Sequence, residues 1–153
     1  DKQRFKFLLK CILISIPIFA VVIIGVNYYE DSQALNGTPN SEGGINYYYK
    51  GDGTEKIPEI ILNKISIYPN CTTTSINITK DANNDLQGNL YFFKNDDFEK
   101  VKNFYKSKTI EIIYESNSNL RFKINNEEIT ITSENIYDGD PIQNQNKFKI
   151  YFS

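Results

Sequence analysis

The chain has 153 residues, enough for one domain of roughly 100 to 120 residues beside a short separate segment. Its formal net charge is -2, from 17 basic and 19 acidic side chains, so composition indicates no basic surface and we expect no nucleic-acid partner. The absence of histidine removes the commonest general base and the commonest neutral metal ligand, and we expect no cofactor.

An apolar run occupies residues 5–29. No charged residue lies between Cys11 and Val26, and about 20 residues span the hydrocarbon if the preceding lysines extend to the interface. Basic residues precede the run and acidic residues follow it: Lys2, Arg4, Lys6 and Lys10, then Glu30 and Asp31. By the positive-inside rule, residues 1–31 are predicted to be a single transmembrane helix with a cytoplasmic start, and the rest of the chain is predicted to be extracytoplasmic.

Three other interpretations of this run compete with an anchor. A cleaved signal peptide requires a small-x-small exit, which "IIGVNYYED" does not provide. A lipoprotein signal requires small residues before its cysteine, whereas Lys10 precedes Cys11. A buried helix of a soluble protein would leave no polar side for water. The pattern therefore favours the anchor, in which Ser15, Ala20 and Gly25 are small residues that allow close approach of a partner helix.

Residues 32–53 are rich in Gly, Asn and Ser and predict a flexible linker, followed by an extracytoplasmic domain over residues 54–153. The triplet Tyr47, Tyr48 and Tyr49 interrupts this segment. It is either a short strand packed on the domain, which is favoured because aromatic residues prefer sheets, or an exposed patch.

The first half of the predicted domain contains one helix and one hairpin. "IPEIILNKI" at residues 57–65 predicts a short helix with Pro58 at its first position and with Ile61, Leu62 and Ile65 on one side. The strand "SINITK", with Ile76 and Ile78 on one face, pairs with "LYFFK" across the loop "DANNDLQGN".

The clearest helix signal spans residues 96–107. Asp96 is the predicted N-cap and Glu99 completes a capping box. The helix would present one apolar stripe, formed by Phe98, Val101, Phe104 and Tyr105. Lys106 and Lys108 suit its C-terminal dipole.

Four segments with alternating polarity follow: "TIEIIYE", "LRFKI", "EITIT" and "KFKIYF". In the second, Leu120, Phe122 and Ile124 alternate with Arg121 and Lys123. A sheet with one apolar face needs a cover. The sequence therefore predicts an α+β fold, with a small antiparallel sheet covered on one face by the amphipathic helix.

The order of these elements resembles a widespread class of small exported or membrane-anchored domains with an "IPIYPGA"-like turn and a "DxFxxVxxFYK" helix. The matching residues are Ile67, Tyr68, Pro69, Phe93, Asp96, Phe98, Val101, Phe104, Tyr105 and Lys106. This chain has Asn70 and Cys71 at the two positions where members of the class prefer Gly and Ala. The class has no settled biochemical role, so the resemblance implies the fold and the extracytoplasmic location alone.

Carboxylates provide the candidate sites. Asp81, Asn83 and Asp85 alternate as in a calcium loop, but Leu86 and Phe92 stand where that motif needs Gly and Glu, so an ordinary hairpin loop over residues 81–88 is the favoured interpretation. Asp138 and Asp140 in "YDGDP" predict a turn. Glu127 and Glu128, an acid and base pair in principle, are predicted in a solvent-exposed hairpin turn.

Cys11 and Cys71 are expected in different phases, so they do not pair, and Cys71 is expected to be a small buried side chain. Three N-x-S/T acceptors, Asn36, Asn70 and Asn77, fall on the predicted outer side and matter only in a cell that glycosylates proteins.

No motif indicates catalysis. The expected function is a non-catalytic membrane-anchored accessory or structural subunit in contact with lipid, whose outer domain binds other subunits or itself through strand edges and exposed tyrosines. The alternatives are a subunit of an extracellular filament resembling a type IV pilin and a small-ligand or calcium-binding module. Two features count against the pilin: no Glu lies near the start of the apolar run, and the helix is predicted to break into a linker.

Overall fold

The structure is a computed structural model that describes residues 2–51, 56–109, 111–124 and 127–153. The chain divides into two compact units, Asp1–Ser32 and Gln33–Ser153. Helix α1 (Lys2–Asn36) is long and apolar enough to cross a membrane, a property that secretory signal sequences share. The predicted N-terminal apolar helix is therefore confirmed.

Helix α1 ends later than predicted, at Asn36 instead of residue 31. Its stop is Gly37, which has a φ of +70° and donates its main-chain N–H to the carbonyl oxygen of Gln33 at 2.9 Å. Glycine adopts this left-handed conformation without the steric cost of a Cβ, which makes it the usual residue after a helix. The helix therefore extends into the segment predicted as a linker before it breaks at Gly37.

The second unit is built on an eight-stranded antiparallel sheet in the order β1-β2-β3-β4-β8-β7-β6-β5. Two meanders of four strands meet where β4 pairs with β8, and among the described residues two helices lie between strands in the chain. The elements are β1 (Thr38–Pro39), β2 (Ile45–Lys50), α2 (Glu59–Leu62), β3 (Thr72–Lys80), β4 (Leu86–Lys94), α3 (Phe98–Lys106), β5 (Glu111–Glu115), β6 (Asn119–Ile124), β7 (Glu127–Glu134) and β8 (Asn146–Phe152). The predicted antiparallel α+β architecture is confirmed.

The strand register places one apolar row across five strands. Ile76 of β3 faces Leu90, Leu90 faces Ile150, Ile150 faces Ile131, and Ile131 faces Leu120 of β6. All five side chains are buried. Because side chains alternate between the two faces of a strand, this register gives the sheet one apolar face and one polar face.

Both short helices contribute to the core on the apolar face. The ring of Tyr105 in α3 stacks on Phe122 at a centroid distance of 6.0 Å, and Phe98 stacks on Phe148 at 6.1 Å. Ile61 of α2 joins the same hydrophobic cluster. The apolar face therefore packs against residues from two helical segments.

The cap of α3 is one residue later than predicted. Asp97 has an extended backbone and its carboxylate accepts the main-chain N–H of Lys100 at 2.9 Å, so Asp97 and not Asp96 is the N-cap. The predicted capping box is also wrong, because Glu99 pairs with Lys102 at 2.8 Å. Asp96 is displaced from the cap because its carboxylate bonds to Tyr68 and to the side chain of Lys100.

Helix α2 is shorter than the predicted span of residues 57–65, and Pro58 is its N-cap instead of its first helical residue. Ile61 and Ile65 are buried as expected, whereas Leu62 is exposed. Adjacent helical residues point about 100° apart, so Leu62 cannot share the buried side with Ile61.

The segment predicted as a flexible linker belongs to the sheet. Strands β1 and β2 lie within it, and Tyr47 is buried opposite Ile78 of β3. The polar, Gly-rich stretch is the turn between these two strands, with Gly43 at a φ of +80°. The interpretation of the tyrosine triplet as a packed strand is confirmed. Residues 52 and 53 of the predicted linker, the domain start at 54–55 and the predicted turn residues 125 and 126 lie outside the described residues.

Candidate functional site: the open sheet edge

The two edges of the sheet differ in how well they can accept another strand. Edge strand β1 has only two residues, and one of them is Pro39, which has no N–H to donate. Edge strand β5 has five residues and pairs, within the described part of the chain, with β6 alone. The backbone of β5 therefore offers the longer open edge.

Strand β5 also presents three consecutive large apolar side chains to solvent. Ile112, Ile113 and Tyr114 are 43%, 40% and 55% exposed. The pairing with β6 shifts register between Ile112 and Tyr114, so a bulge at Ile113 interrupts the two-residue alternation. The predicted apolar face of this segment is therefore not buried. We define these three residues and the β5 backbone as the β5 edge.

Ion pairs with α3 hold the C-terminal end of β5. The Glu115 carboxylate accepts hydrogen bonds from the ammonium groups of Lys106, at 2.9 Å, and Lys102, at 3.3 Å. These hydrogen bonds lower the pKa of Glu115, and the bond from Lys106 has the largest effect. Lys102 is itself buried and also bonds the main-chain oxygen of Ser116 at 3.2 Å. The β5 edge is thus fixed to the domain at the end where the strand turns into β6.

Two segments that carry the sequence resemblance, the Tyr-Pro turn and the start of α3, are in contact. The Tyr68 hydroxyl donates to the Asp96 carboxylate at 3.0 Å, and its ring meets Phe104 edge to face at 5.1 Å. Burial, with the hydrogen bond to Asp96, raises the pKa of Tyr68 to about 12. That hydrogen bond and the ammonium of Lys100 lower the pKa of Asp96. The Tyr-Pro turn and the helix start are therefore joined by a structural contact.

The carboxylate of the candidate calcium loop serves the hairpin turn. One oxygen of Asp81 accepts the main-chain N–H groups of Asn83, at 2.8 Å, and Asp85, at 2.9 Å. Leu86 and Phe92, at the positions of the missing Gly and Glu, are buried in the core. The geometry is that of an Asx turn that closes the β3–β4 hairpin. The predicted hairpin is therefore confirmed.

The structure separates Glu127 from Glu128. Both lie in β7 and not in the predicted turn, and successive strand residues point to opposite faces. Glu127 pairs with Lys64, and Glu128 pairs with Arg121 at 3.4 Å. The two carboxylates therefore cannot act on one bond, because a sheet lies between them.

The cysteines, the three acceptor asparagines and Asp138 are the remaining candidates from the sequence. Cys71 is buried, as expected, and burial raises the pKa of its thiol to about 11; both cysteines are free. The three acceptor asparagines are exposed: Asn36 ends α1, Asn70 has a left-handed backbone with a φ of 52°, and Asn77 lies in β3. Asp138 is exposed in the β7–β8 loop.

Across residues 2–51, 56–109, 111–124 and 127–153, no group of three or more Cys, Asp or Glu side chains is arranged to hold a metal ion. The sequence predicted binding through strand edges but did not identify β5 as the open edge. The signal was present in "EIIYE", where three large apolar residues run consecutively between two glutamates.

No family model, curated protein or solved structure matches this chain.

Proposed function

We propose that this chain is a non-catalytic accessory or structural subunit held in a membrane by α1, whose second unit binds other proteins through the β5 edge. The observation that carries the proposal is the exposure of Ile112, Ile113 and Tyr114 in a row on an open strand. An extended segment from a partner can add to such an edge by main-chain hydrogen bonds, and its side chains can pack on these three residues.

The length and apolar character of α1 support the anchor. The charge difference across it supports a cytoplasmic N-terminus and an extracytoplasmic second unit. Within α1, the exposed Ala20 and Gly25 leave room for a partner helix, and nothing lies within 4 Å of a Cβ built on Gly25. Anchor and edge together would hold the subunit beside a membrane-bound partner.

Site-specific crosslinking tests the proposal in intact cells. A photoreactive phenylalanine analogue replaces Tyr114, and a second protein carries it at Tyr48, which is 64% exposed on another strand. We expect a defined crosslinked product from position 114 and none of that size from position 48. Equal crosslinking at both positions, or none at 114, contradicts the proposal.

A pair of variants tests the same edge by co-purification in mild detergent. Ile113→Lys places a charge on the β5 edge, and Leu62→Lys places one on an equally exposed apolar site in α2. We expect the first to release the protein that crosslinks at Tyr114 and the second to retain it, with both variants folded by circular dichroism. Light scattering of the purified complex distinguishes a second copy of this chain from a different subunit.

The second candidate is a pilin-like filament subunit, which one observation favours. Helix α1 continues to Asn36, and Ala34 in its last turn is buried. Shearing of cells distinguishes the two functions: a filament subunit is released into the medium, whereas a membrane subunit stays in the membrane fraction with its partner.

A further inference from the structure

A cleft of about 630 Å³ opens on the polar face of the sheet, and none of its lining residues belongs to the β5 edge. Its floor comes from the ends of β2 and β3, and its wall from β4, the end of β7, β8 and the loop between β7 and β8. The cleft is thus distinct from the surface used in the proposed function.

A β-bulge builds the floor. The register between β3 and β4 shifts between Thr73 and Ser75, so Thr74 is the extra residue, and both Thr74 and Ser75 line the cleft. Thr74 is only 4% exposed, yet neither its hydroxyl nor that of Ser75 has a hydrogen-bond partner among the described residues. Bulges often redirect side chains at binding sites, and here both hydroxyls are available to a ligand in the cleft.

The wall is held by one internal ion pair. The Lys147 ammonium bonds both carboxylate oxygens of Asp140, at 2.7 and 3.0 Å. It also lies over the rings of Tyr91 and Tyr137, at centroid distances of 5.3 and 5.6 Å. The carboxylate also accepts the main-chain N–H of Tyr137 at 2.9 Å. These contacts fasten the β7–β8 loop to the sheet, and Tyr137 remains 64% exposed.

One cationic side chain that lines the cleft has no acidic partner among the described residues. Lys147 is neutralised by Asp140, and Glu134 pairs with Lys149 at 2.7 Å. Lys50, which lines the floor beside the two free hydroxyls, has no ion pair within the described part of the chain. An ammonium with two hydroxyl donors is a suitable set of partners for a carboxylate.

We propose that this cleft binds a carboxylated saccharide of the uronic-acid type. Lys50, Thr74 and Ser75 bind the carboxylate, the Tyr137 ring packs on the apolar side of the sugar ring, and the Glu134 carboxylate accepts a sugar hydroxyl. Each part of such a ligand meets a matching group: an anion meets the unpaired cation, and an amphipathic ring meets an exposed aromatic face.

The test uses the full chain in phosphatidylcholine nanodiscs, which avoids sugar-based detergents. Trigalacturonate is titrated, with the neutral galactose trisaccharide and inorganic phosphate as comparison ligands, and binding is followed by calorimetry and by the amide NMR signals of Thr74 and Ser75. We expect trigalacturonate to bind and to shift both signals. Lys50→Gln should weaken binding by roughly tenfold or more, because a charge-assisted hydrogen bond is lost.

Lys123→Gln, on β6 and outside the cleft lining, is the matched control and should leave the affinity unchanged. Tyr137→Ala should weaken trigalacturonate binding with little effect on the melting temperature. The proposal is overturned if trigalacturonate leaves the Thr74 and Ser75 signals unchanged at millimolar concentration. Equal binding of the neutral trisaccharide, or equal shifts with phosphate alone, overturns it as well.

Discussion

Replacing Phe122 by Ala should destabilise the second unit far more than replacing Ile112 by Ala, although the two residues face each other across β6 and β5. Phe122 is fully buried and stacks on Tyr105, whereas Ile112 is 43% exposed. The comparison tests whether the apolar face ends at β6 and leaves β5 free for a partner.

The expected magnitudes follow from burial. Truncating a fully buried Phe removes its transfer free energy and leaves a cavity, which together cost about 3–5 kcal/mol. A fully buried Ile contributes about 1.5–3 kcal/mol, so the half-exposed Ile112 should cost about 1 kcal/mol. At about 4 °C per kcal/mol for a unit of this size, Phe122→Ala lowers the melting temperature by roughly 10 to 20 °C and Ile112→Ala by roughly 4 °C.

The assay is urea unfolding of the full chain followed by near-ultraviolet circular dichroism. Tyrosine dominates that signal, because the chain has 11 Tyr and no Trp. Similar slopes of free energy against urea are required for the midpoints to be compared. If Ile112→Ala costs as much as Phe122→Ala, β5 belongs to the core and the argument for an open interaction edge fails.

Three further predictions concern the second unit. Asp97→Ala removes the N-cap of α3 and should lower the free energy of unfolding by about 1 kcal/mol, as measured by urea titration. Gly88→Ala should lower it by more than that, because Gly88 has a φ of +135° and a Cβ would collide with the facing main chain, whereas Gly139→Ala, with open space around it, should melt like the parent chain. Burial tends to raise the pKa of Asp140, but hydrogen bonds from Lys147 and a main-chain N–H, with the Lys147 charge, lower it on balance. The group therefore stabilises the fold above its unfolded pKa near 3.9, that stability disappears as pH falls through the lower folded pKa, and Lys147→Gln should raise the pKa of this carboxyl in carbon-13 NMR titrations.

Local periodicity was sufficient wherever an element buries a regular set of side chains. The apolar run of α1, the stripe of Val101 and Tyr105 in α3, and the alternation of Leu120 and Phe122 in β6 are all visible in the sequence. Each pattern repeats over a few neighbouring residues, so no distant part of the chain is needed to interpret it.

The candidate sites were less predictable, because distant segments build them. The β5 edge depends on which strands end the sheet and on a bulge at Ile113, and the sequence shows only an irregular "EIIYE". The cleft depends on Lys50, Thr74 and Lys147 coming together from three strands. The candidates visible in the sequence were carboxylates such as Glu127 and Glu128, which are neighbours in the chain but lie on opposite faces of the sheet.

The sequence by itself determined that this protein has a long apolar N-terminal helix, alternating strands and one amphipathic helix, because each follows from the spacing of apolar residues along the chain. Only the tertiary structure decided that the Gly-rich segment after α1 contains strands, that Asp97 caps α3, and that β4 pairs with β8. Those outcomes depend on partners far away in the chain. A segment forms a strand when it pairs with a neighbouring strand, and a strand lies at the edge of a sheet when one of its sides has no such neighbour.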